Sequence, residues 1–545
     1  MNDLFLRAGM IAAGLRHWQP VRRMAARPRP AQQETLLAIV RANRDTRFGR
    51  EHRFGGIADI HAFQQRVPVQ EYEGLRGYID EQRRTGAQAL TMDAPVFYAQ
   101  TSGSTAAPKH IPVTRTSLAM HRREQALFSY LQYRACPTAF RGKAWGIMGA
   151  AVEGRLDSGH IVGSVSGHLY ESLPRAVRSR FVVPPVVSTI DDYDVKYRTI
   201  ICLALAEPDI TYLGTPNPST FLRLVSLMNA ERDSFLDVVA TGRLDAIEGL
   251  PAPVRQAVRL HPNPARAAAL RRLERITYAN AWPGVRLVTT WTGGSCGIAV
   301  DALRRELPLE AVVMELGYQA TECRGTMALD AGTPAGLPVL HHHFFEFAEQ
   351  ATWDAGGRTC VTLEQLESGR TYYVIVTTAA GLYRYFMNDL VEVSGYFEST
   401  PLLRFVQKGK GVTSLTGEKL YEAQAIAAVQ EGTRELGLEP AFFLMVADEQ
   451  RGGYELLIEV AGDALDRARL AATVDEHLGL MNVEYHAKRA SGRLTPLTVT
   501  RLQPGSADAH KAAYLRAGQR ESQFKPVILQ YRRDLRWTAE DYAAS

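Results

Sequence analysis

The chain alternates short, nearly continuous apolar runs with longer stretches in which apolar residues recur at helical spacing. Short apolar runs bounded by turn residues predict buried strands. Val96-Phe97-Tyr98, Trp145 to Ala151, Ile210 to Leu213, Arg286 to Trp291, Ala311 to Leu316 and Thr371 to Thr377 are of this kind, and Tyr383 to Val393 continues as strand-like sequence. Residues 31–50, with Leu36, Leu37 and Val40 in step, and Tyr197 to Ala206 read as helices. From Phe221 to Tyr278 the pattern is helical, broken at Gly249 to Pro253 and near His261-Pro262. Strands and helices in alternation predict α/β layering.

The pattern changes at Gln407-Lys408-Gly409-Lys410-Gly411, a basic, glycine-rich link. Beyond it Ala423, Ile426 and Ala427 keep helical spacing. Phe442 to Val446 and Tyr454 to Val460 form a hairpin pattern around Gly452-Gly453. A helix at Arg467 to Leu478 and a strand at Leu497 to Leu502 complete a small α+β unit. The expected division is a large domain over 1–404 and a small domain over 405–545. No internal repeat or low-complexity segment interrupts either.

At 545 residues the chain exceeds one ordinary core, which agrees with that division. Its 46% hydrophobic and 22% charged residues are those of a soluble globular protein. A net charge of +5, from 63 basic and 58 acidic residues, gives no nucleic-acid signature. The five cysteines form no C-x-x-C pair, so a reducing, cytoplasmic setting is expected. Leu4 to Leu15 is interrupted by Arg7 and followed by Arg16, which suits an amphipathic helix better than a signal peptide or membrane span.

The chemistry concentrates in Tyr98-Ala99-Gln100-Thr101-Ser102-Gly103-Ser104-Thr105-Ala106-Ala107-Pro108-Lys109. A strand leads into five consecutive hydroxyl or glycine positions, and a lysine follows. Gly103 permits a tight turn, successive N–H groups can converge on an anion, and Lys109 adds a mobile cation. Polyphosphate binding fits these features. Composition alone would make the run a surface turn; the fixed Thr-Ser-Gly-Ser-Thr order and the Pro-Lys after it set it apart. It is not a Walker loop, which needs G-x-x-x-x-G-K-[ST].

The run resembles the first signature of the adenylate-forming superfamily, which includes acyl-CoA synthetases, firefly luciferase and peptide-synthetase adenylation domains. Gly317-Tyr318-Gln319-Ala320-Thr321-Glu322 resembles the second signature and Tyr383-Arg384-Tyr385-Phe386-Met387-Asn388-Asp389 the third, in the right order. Val67-Pro68-Val69-Gln70-Glu71-Tyr72-Glu73, Tyr78-Ile79, Gly381-Leu382 and Gln523-Phe524-Lys525-Pro526 narrow the match. Together they resemble the acyl-acid amido synthetases related to plant auxin and jasmonate conjugating enzymes, the Gretchen Hagen family, and more closely its bacterial members. The resemblance runs from about Gln32 to Gln530.

The resemblance implies an adenylate-forming enzyme fold: a large multi-layer α/β N-terminal domain and a small mobile α+β C-terminal domain. It implies an ATP-dependent ligase that converts a carboxylic acid to an acyl-adenylate and passes the acyl group to an amine, above all an amino acid's. ATP and Mg²⁺ are the implied cofactors. A small-molecule acid and an amine are the partners, with no nucleic acid and no membrane, and a monomer or weak dimer is expected. Thr101, Ser102, Gly103, Ser104, Thr105 and Lys109 would hold the departing pyrophosphate. Ala106 stands where relatives often carry glycine. Tyr318 would stack on adenine, or else pack in the core. Thr321 would contact the α-phosphate and Glu322 would ligate Mg²⁺. Asp389 would accept from the ribose hydroxyls; Asn388 before it replaces the usual glycine, and asparagine tolerates a left-handed turn. Arg384 would be structural or would face the nucleotide. Lys525 or Lys419 would swing over the phosphates. Gly294, in the turn 293–297, would lie beside adenine, and that turn and Gly163-Ser164-Val165-Ser166-Gly167 are candidates for the acyl pocket.

Two motifs compete. Gly293-Gly294-Ser295-Cys296-Gly297 matches G-x-S-x-G, the nucleophile elbow of hydrolases. A serine hydrolase at Ser295 is therefore an alternative, as is transfer to CoA or a carrier thiol. His341-His342-His343 suggests a metal, but adjacent residues on a strand or extended loop point in different directions, so a surface or groove-lining role is expected.

Overall fold

The computed structural model describes residues 3–538 apart from 102–108, 294–295, 410, 414, 416–417, 419, 449, 462–464, 491–493, 518–520, 522–523 and 525. By packing, the chain divides into two units. The first comprises Met1–Thr292, Ala299–Met387 and Val391–Phe405; the second comprises Gly293–Ile298, Asn388–Leu390 and Val406–Ser545.

The first unit contains a parallel sheet in the order Lys143–Gly146, Ile210–Gly214, Leu287–Thr290, Val312–Glu315. Leu287–Thr290 is buried at every position, as a parallel strand covered on both faces requires. Trp145, Phe221, Tyr278 and Trp282 pack together in the core beside this sheet, with ring centroids 5.2–6.1 Å apart. A second sheet has seven strands. Within it His343–Glu349 pairs antiparallel with Thr371–Thr378 and with Val361–Thr362. A third sheet joins Pro95–Thr101 antiparallel to Lys109–Thr114 and adds two short strands. The helix Arg115–Ala135 follows at once, started by Thr114 in a reciprocal cap with Ser117.

The second unit has a four-stranded sheet in the order Thr498–Arg501, Gly453–Val460, Pro440–Asp448, Leu529–Tyr531. Its apolar core takes residues from the helices Glu422–Glu435 and Arg467–Met481. The hairpin turns through Gly452 at φ +67°.

Most strands fall where the apolar runs place them, with two differences. The helix expected over 31–50 is two helices, Pro28–Ala42 and Arg47–Glu51. Asn43 ends the first, its amide donating to the Ile39 carbonyl (3.0 Å), and Thr46 caps the second, accepting from Gly49 N–H (2.9 Å). The strand expected over 145–151 stops at Gly146. The Ala150 carbonyl instead accepts from Ser164 N–H and hydroxyl, each 2.9 Å away. Ser164 also caps the helix Val165–Glu171, its hydroxyl accepting from Gly167 N–H. Among the described residues no helix is long and apolar enough to cross a membrane.

Candidate active site

The strand Val312–Glu315 ends in a carboxylate and runs into Gly317-Tyr318. Glu315 is 5% exposed, and its oxygens tie two loops together. Oε2 accepts from Thr292 N–H and hydroxyl, both at 2.6 Å, and Oε1 accepts from Gly317 N–H at 3.0 Å. Gly317 has φ +92°, and a Cβ there would lie 2.2 Å from the Thr326 carbonyl oxygen, so only glycine fits. The turn is closed by Tyr318 N–H donating to Thr326 Oγ1 at 2.9 Å and by Gly325 N–H donating to the Tyr318 carbonyl at 2.8 Å.

Tyr318 is buried and stacks on Phe405, with centroids 5.8 Å apart and an 11° interplanar angle. Its ring also meets Gly325, where an added Cβ would fall 2.2 Å from it. The ring thus packs against Phe405 and Gly325 in this structure.

Thr321 and Glu322 line a small cleft with Ile111, Ser117, His121 and His343. Both are partly exposed, and Tyr385 donates to Glu322 Oε1 over 3.4 Å, a long contact. Partly exposed oxygens beside a cleft are suitable donors for Mg²⁺, which takes one or two carboxylates and completes its shell with phosphate oxygens and water. Among the described residues no group of three or more His, Cys, Asp or Glu is arranged as an all-protein metal site.

Two residues of the cleft lining, His121 and His343, adjoin a buried polar cluster that the sequence did not reveal. Glu124 is 1% exposed and lies between imidazoles. Oε2 contacts His121 Nδ1 at 3.0 Å, Oε1 contacts His342 Nδ1 at 2.8 Å, and His343 Nε2 is 3.6 Å away. Burial would raise the Glu124 carboxyl, but the histidines around it outweigh that and hold it well below its ordinary value. Burial pushes His343 down to about 3, so this imidazole is neutral. Arg324, buried under Phe128 with its guanidinium 4.2 Å from the ring centroid, is pushed down to about 10 by burial. The surface role expected for His342 is thus corrected. His341 and His342 sit in a turn rather than an extended strand, and the turn folds His342 and His343 onto one carboxylate. His343 does line the cleft.

Arg384 had two readings, and its contacts are structural. Nε and Nη2 donate to Glu346 at 2.9 Å each, and Nη1 donates to the carbonyls of Gln64 (3.0 Å) and Val67 (2.8 Å). Arg384 has φ +47° and Asn388 has φ +53°, so the left-handed turn expected at Asn388 is present. Asp389 is 2% exposed in the second packing unit. Lys109 opens its strand opposite Thr101, its ammonium 5.7 Å from the Tyr72 ring centroid. Ser102, Gly103, Ser104, Thr105, Gly294, Ser295, Lys419 and Lys525, and the side chain of Thr101, lie outside the described residues.

Three domains of one family match the chain in order: the GH3 family N-terminal domain over residues 19–309, its central domain over 336–408 and its C-terminal domain over 423–534. The chain is 24% identical over 538 residues to indole-3-acetic acid-amido synthetase GH3.15 of Arabidopsis thaliana, covering 91% of this chain and 89% of that one. It is 25% identical over 517 residues to indole-3-acetic acid-amido synthetase GH3.8 of Oryza sativa subsp. indica, covering 87% and 84%. Among solved structures, GH3.15 acyl acid amido synthetase superposes with a TM-score of 0.84 at 22% identity over 96% of both chains. A 2-hydroxyisobutyryl-CoA ligase in its postadenylation state gives 0.53 at 14% identity, over 88% of this chain and 87% of that one. These two likenesses give the fold as that of adenylate-forming ligases, with a large N-terminal and a smaller C-terminal domain. With its three domains spanning most of the sequence, the chain belongs to the GH3 family.

Proposed function

We propose that this chain is an acyl-acid amido synthetase, a ligase that activates a carboxylic acid as its adenylate and conjugates it to an amino acid. The observation that supports this most is the in-order match to all three family domains, with Thr321 and Glu322 facing one cleft. Oxide is too poor a leaving group for a carboxylate to acylate an amine directly. In the first step a carboxylate oxygen attacks the α-phosphorus of ATP and pyrophosphate departs. In the second the amine nitrogen attacks the acyl carbon, and the C–O bond to AMP breaks. The residues' task is chiefly positioning and charge neutralisation. Thr101 to Thr105 and Lys109 cradle the pyrophosphate, Thr321 meets the α-phosphate, and Asp389 takes the ribose. When bound at Glu322, Mg²⁺ supplies positive charge to the phosphate oxygens. Lys525 acts on the first step, with Lys419 as the alternative. The domains before and after residue 405 move as separate bodies between the two steps.

A pyrophosphate-release screen of carboxylic acids, repeated with pooled amino acids and with CoA, tests this reading. Acid-dependent release and an amide conjugate by mass spectrometry are expected. A thioester without amide would move the acceptor to a thiol. An acyl-enzyme at Ser295 formed without ATP would replace the ligase reading with a hydrolase.

A further inference from the structure

Amide formation leaves a proton problem that the residues named so far do not solve. An amino acid's nitrogen is mostly ammonium at neutral pH, and ammonium has no lone pair. The cleft that holds Thr321 and Glu322 also holds His121, on the helix Arg115–Ala135. Ser117, Met120 and His121 line it from one helix face, and Glu124 lies beneath.

The hydrogen bonds fix which ring nitrogen faces the carboxylate. An ionised carboxylate only accepts, so the Nδ1 atoms of His121 and His342, at 3.0 and 2.8 Å from the two Glu124 oxygens, both carry hydrogen. In the neutral ring the lone pair of His121 is then on Nε2, and among the described residues Nε2 has no hydrogen-bond partner. A carboxylate behind Nδ1 and an open Nε2 in front is the arrangement by which an imidazole is oriented and its protonated form stabilised. His343, in the same cleft, lacks the pairing: neither of its ring nitrogens has a hydrogen-bond partner.

We propose that His121 accepts the proton of the incoming ammonium group, with Glu124 as its positioning partner. This rests on the amide-forming reading above. The ammonium passes one proton to His121 Nε2 and attacks the acyl carbon with the freed lone pair. The C–N bond forms, and the C–O bond to AMP breaks with its electron pair going to the phosphate oxygen. The second proton leaves the nitrogen for that phosphate, and His121 returns its proton to water through the cleft.

The test uses the full chain and separates the steps. For His121→Asn, conjugation of an amino acid from supplied acyl-adenylate should fall about 100-fold, the lower range for loss of a general base, and at least about tenfold more than acid-dependent pyrophosphate exchange falls. Hydroxylamine, largely unprotonated at neutral pH, needs no such base, so hydroxamate formation from the same adenylate should also fall far less than conjugation. Glu124→Gln should lower kcat for the amino acid more than it raises KM, again sparing hydroxylamine. Wild-type conjugation by His121→Asn would overturn the inference. So would an equal loss of exchange, conjugation and hydroxamate formation, which would put His121 in the acid site or the fold. A wild-type protein that exchanges pyrophosphate but conjugates no amine would instead overturn the amide reading on which the inference stands.

Discussion

Arg384 and Glu346 form a two-pronged ion pair, Nε to Oε2 and Nη2 to Oε1 at 2.9 Å each, with side chains 7% and 1% exposed. Two further carbonyls complete the guanidinium's partners at Gln64 and Val67. Removing one member of such a pair leaves a buried charge and typically costs about 3–5 kcal/mol. Arg384→Met should therefore lower the urea midpoint sharply, and the double variant with Glu346→Met should recover part of the loss. In the folded fraction KM for ATP should stay near wild type. A large rise in that KM with unchanged stability would return Arg384 to the nucleotide.

Glu322→Gln keeps the size of the side chain and removes its charge. Loss of one charge contact made in the transition state typically costs ~3 kcal/mol, about a hundredfold in rate. Pyrophosphate exchange should fall by that order and recover partly at high Mg²⁺. Normal exchange at limiting Mg²⁺ would remove Glu322 from the metal.

Gly325→Ala tests Tyr318 without touching it. The added Cβ would fall 2.2 Å from the ring, so the ring must shift from its place on Phe405. If Tyr318 also meets adenine, KM for ATP should rise about tenfold, the scale of a lost base-stacking contact. An unchanged KM would leave Tyr318 a core residue.

His510 predicts an acid sensitivity of the second unit. Its ring lies among Phe442, Tyr514, Phe524 and Trp537 at 4.8–5.9 Å between centroids, and neither nitrogen has a hydrogen-bond partner. Burial pushes it down to about 4, below the ordinary value of 6.5. Between those values the unfolded chain binds a proton that the folded unit does not. Stability is therefore full above pH 6.5 and falls as pH falls, by about 2 kcal/mol at pH 5. His510→Phe should reduce the pH dependence of unfolding by about one proton, read from denaturation at pH 7 and pH 5. An unaltered dependence would mean that His510 already protonates inside the fold.

How far the sequence could be read follows from where each signal lies. Val312–Glu315 and Thr371–Thr378 were legible because buried strands need unbroken apolar runs. Thr321 and Glu322 stand out as candidates because six adjacent residues spell a motif, and both line the cleft. The break at 43–46 was not legible, because Leu36 and Val40 hold helical phase up to it and only two caps speak against continuation. Glu124 was hidden more deeply. In the run His121-Arg122-Arg123-Glu124-Gln125 it reads as a solvated helix face, and its partner His342 lies 218 residues away. Glu315 had a faint signal, an acid ending an apolar strand two residues before a glycine.

Gln32 joins the two ends of the first unit. Its amide nitrogen donates to the carbonyls of Leu340 (2.9 Å) and His343 (2.8 Å), and its oxygen accepts from Phe345 N–H (2.7 Å). On a ribosome the helix Pro28–Ala42 is made first, and these partners follow about 310 residues later. At 5–20 residues per second that is a wait of roughly 15 to 60 s, during which Leu36, Ile39 and Val40 share a core with early residues such as Phe48 and Phe54 but lack its later part, Phe344 and Phe345 among it. The nascent chain thus carries an amphipathic helix whose buried face is completed only late, and a chaperone's help should matter most while residues 42 to 345 are being added.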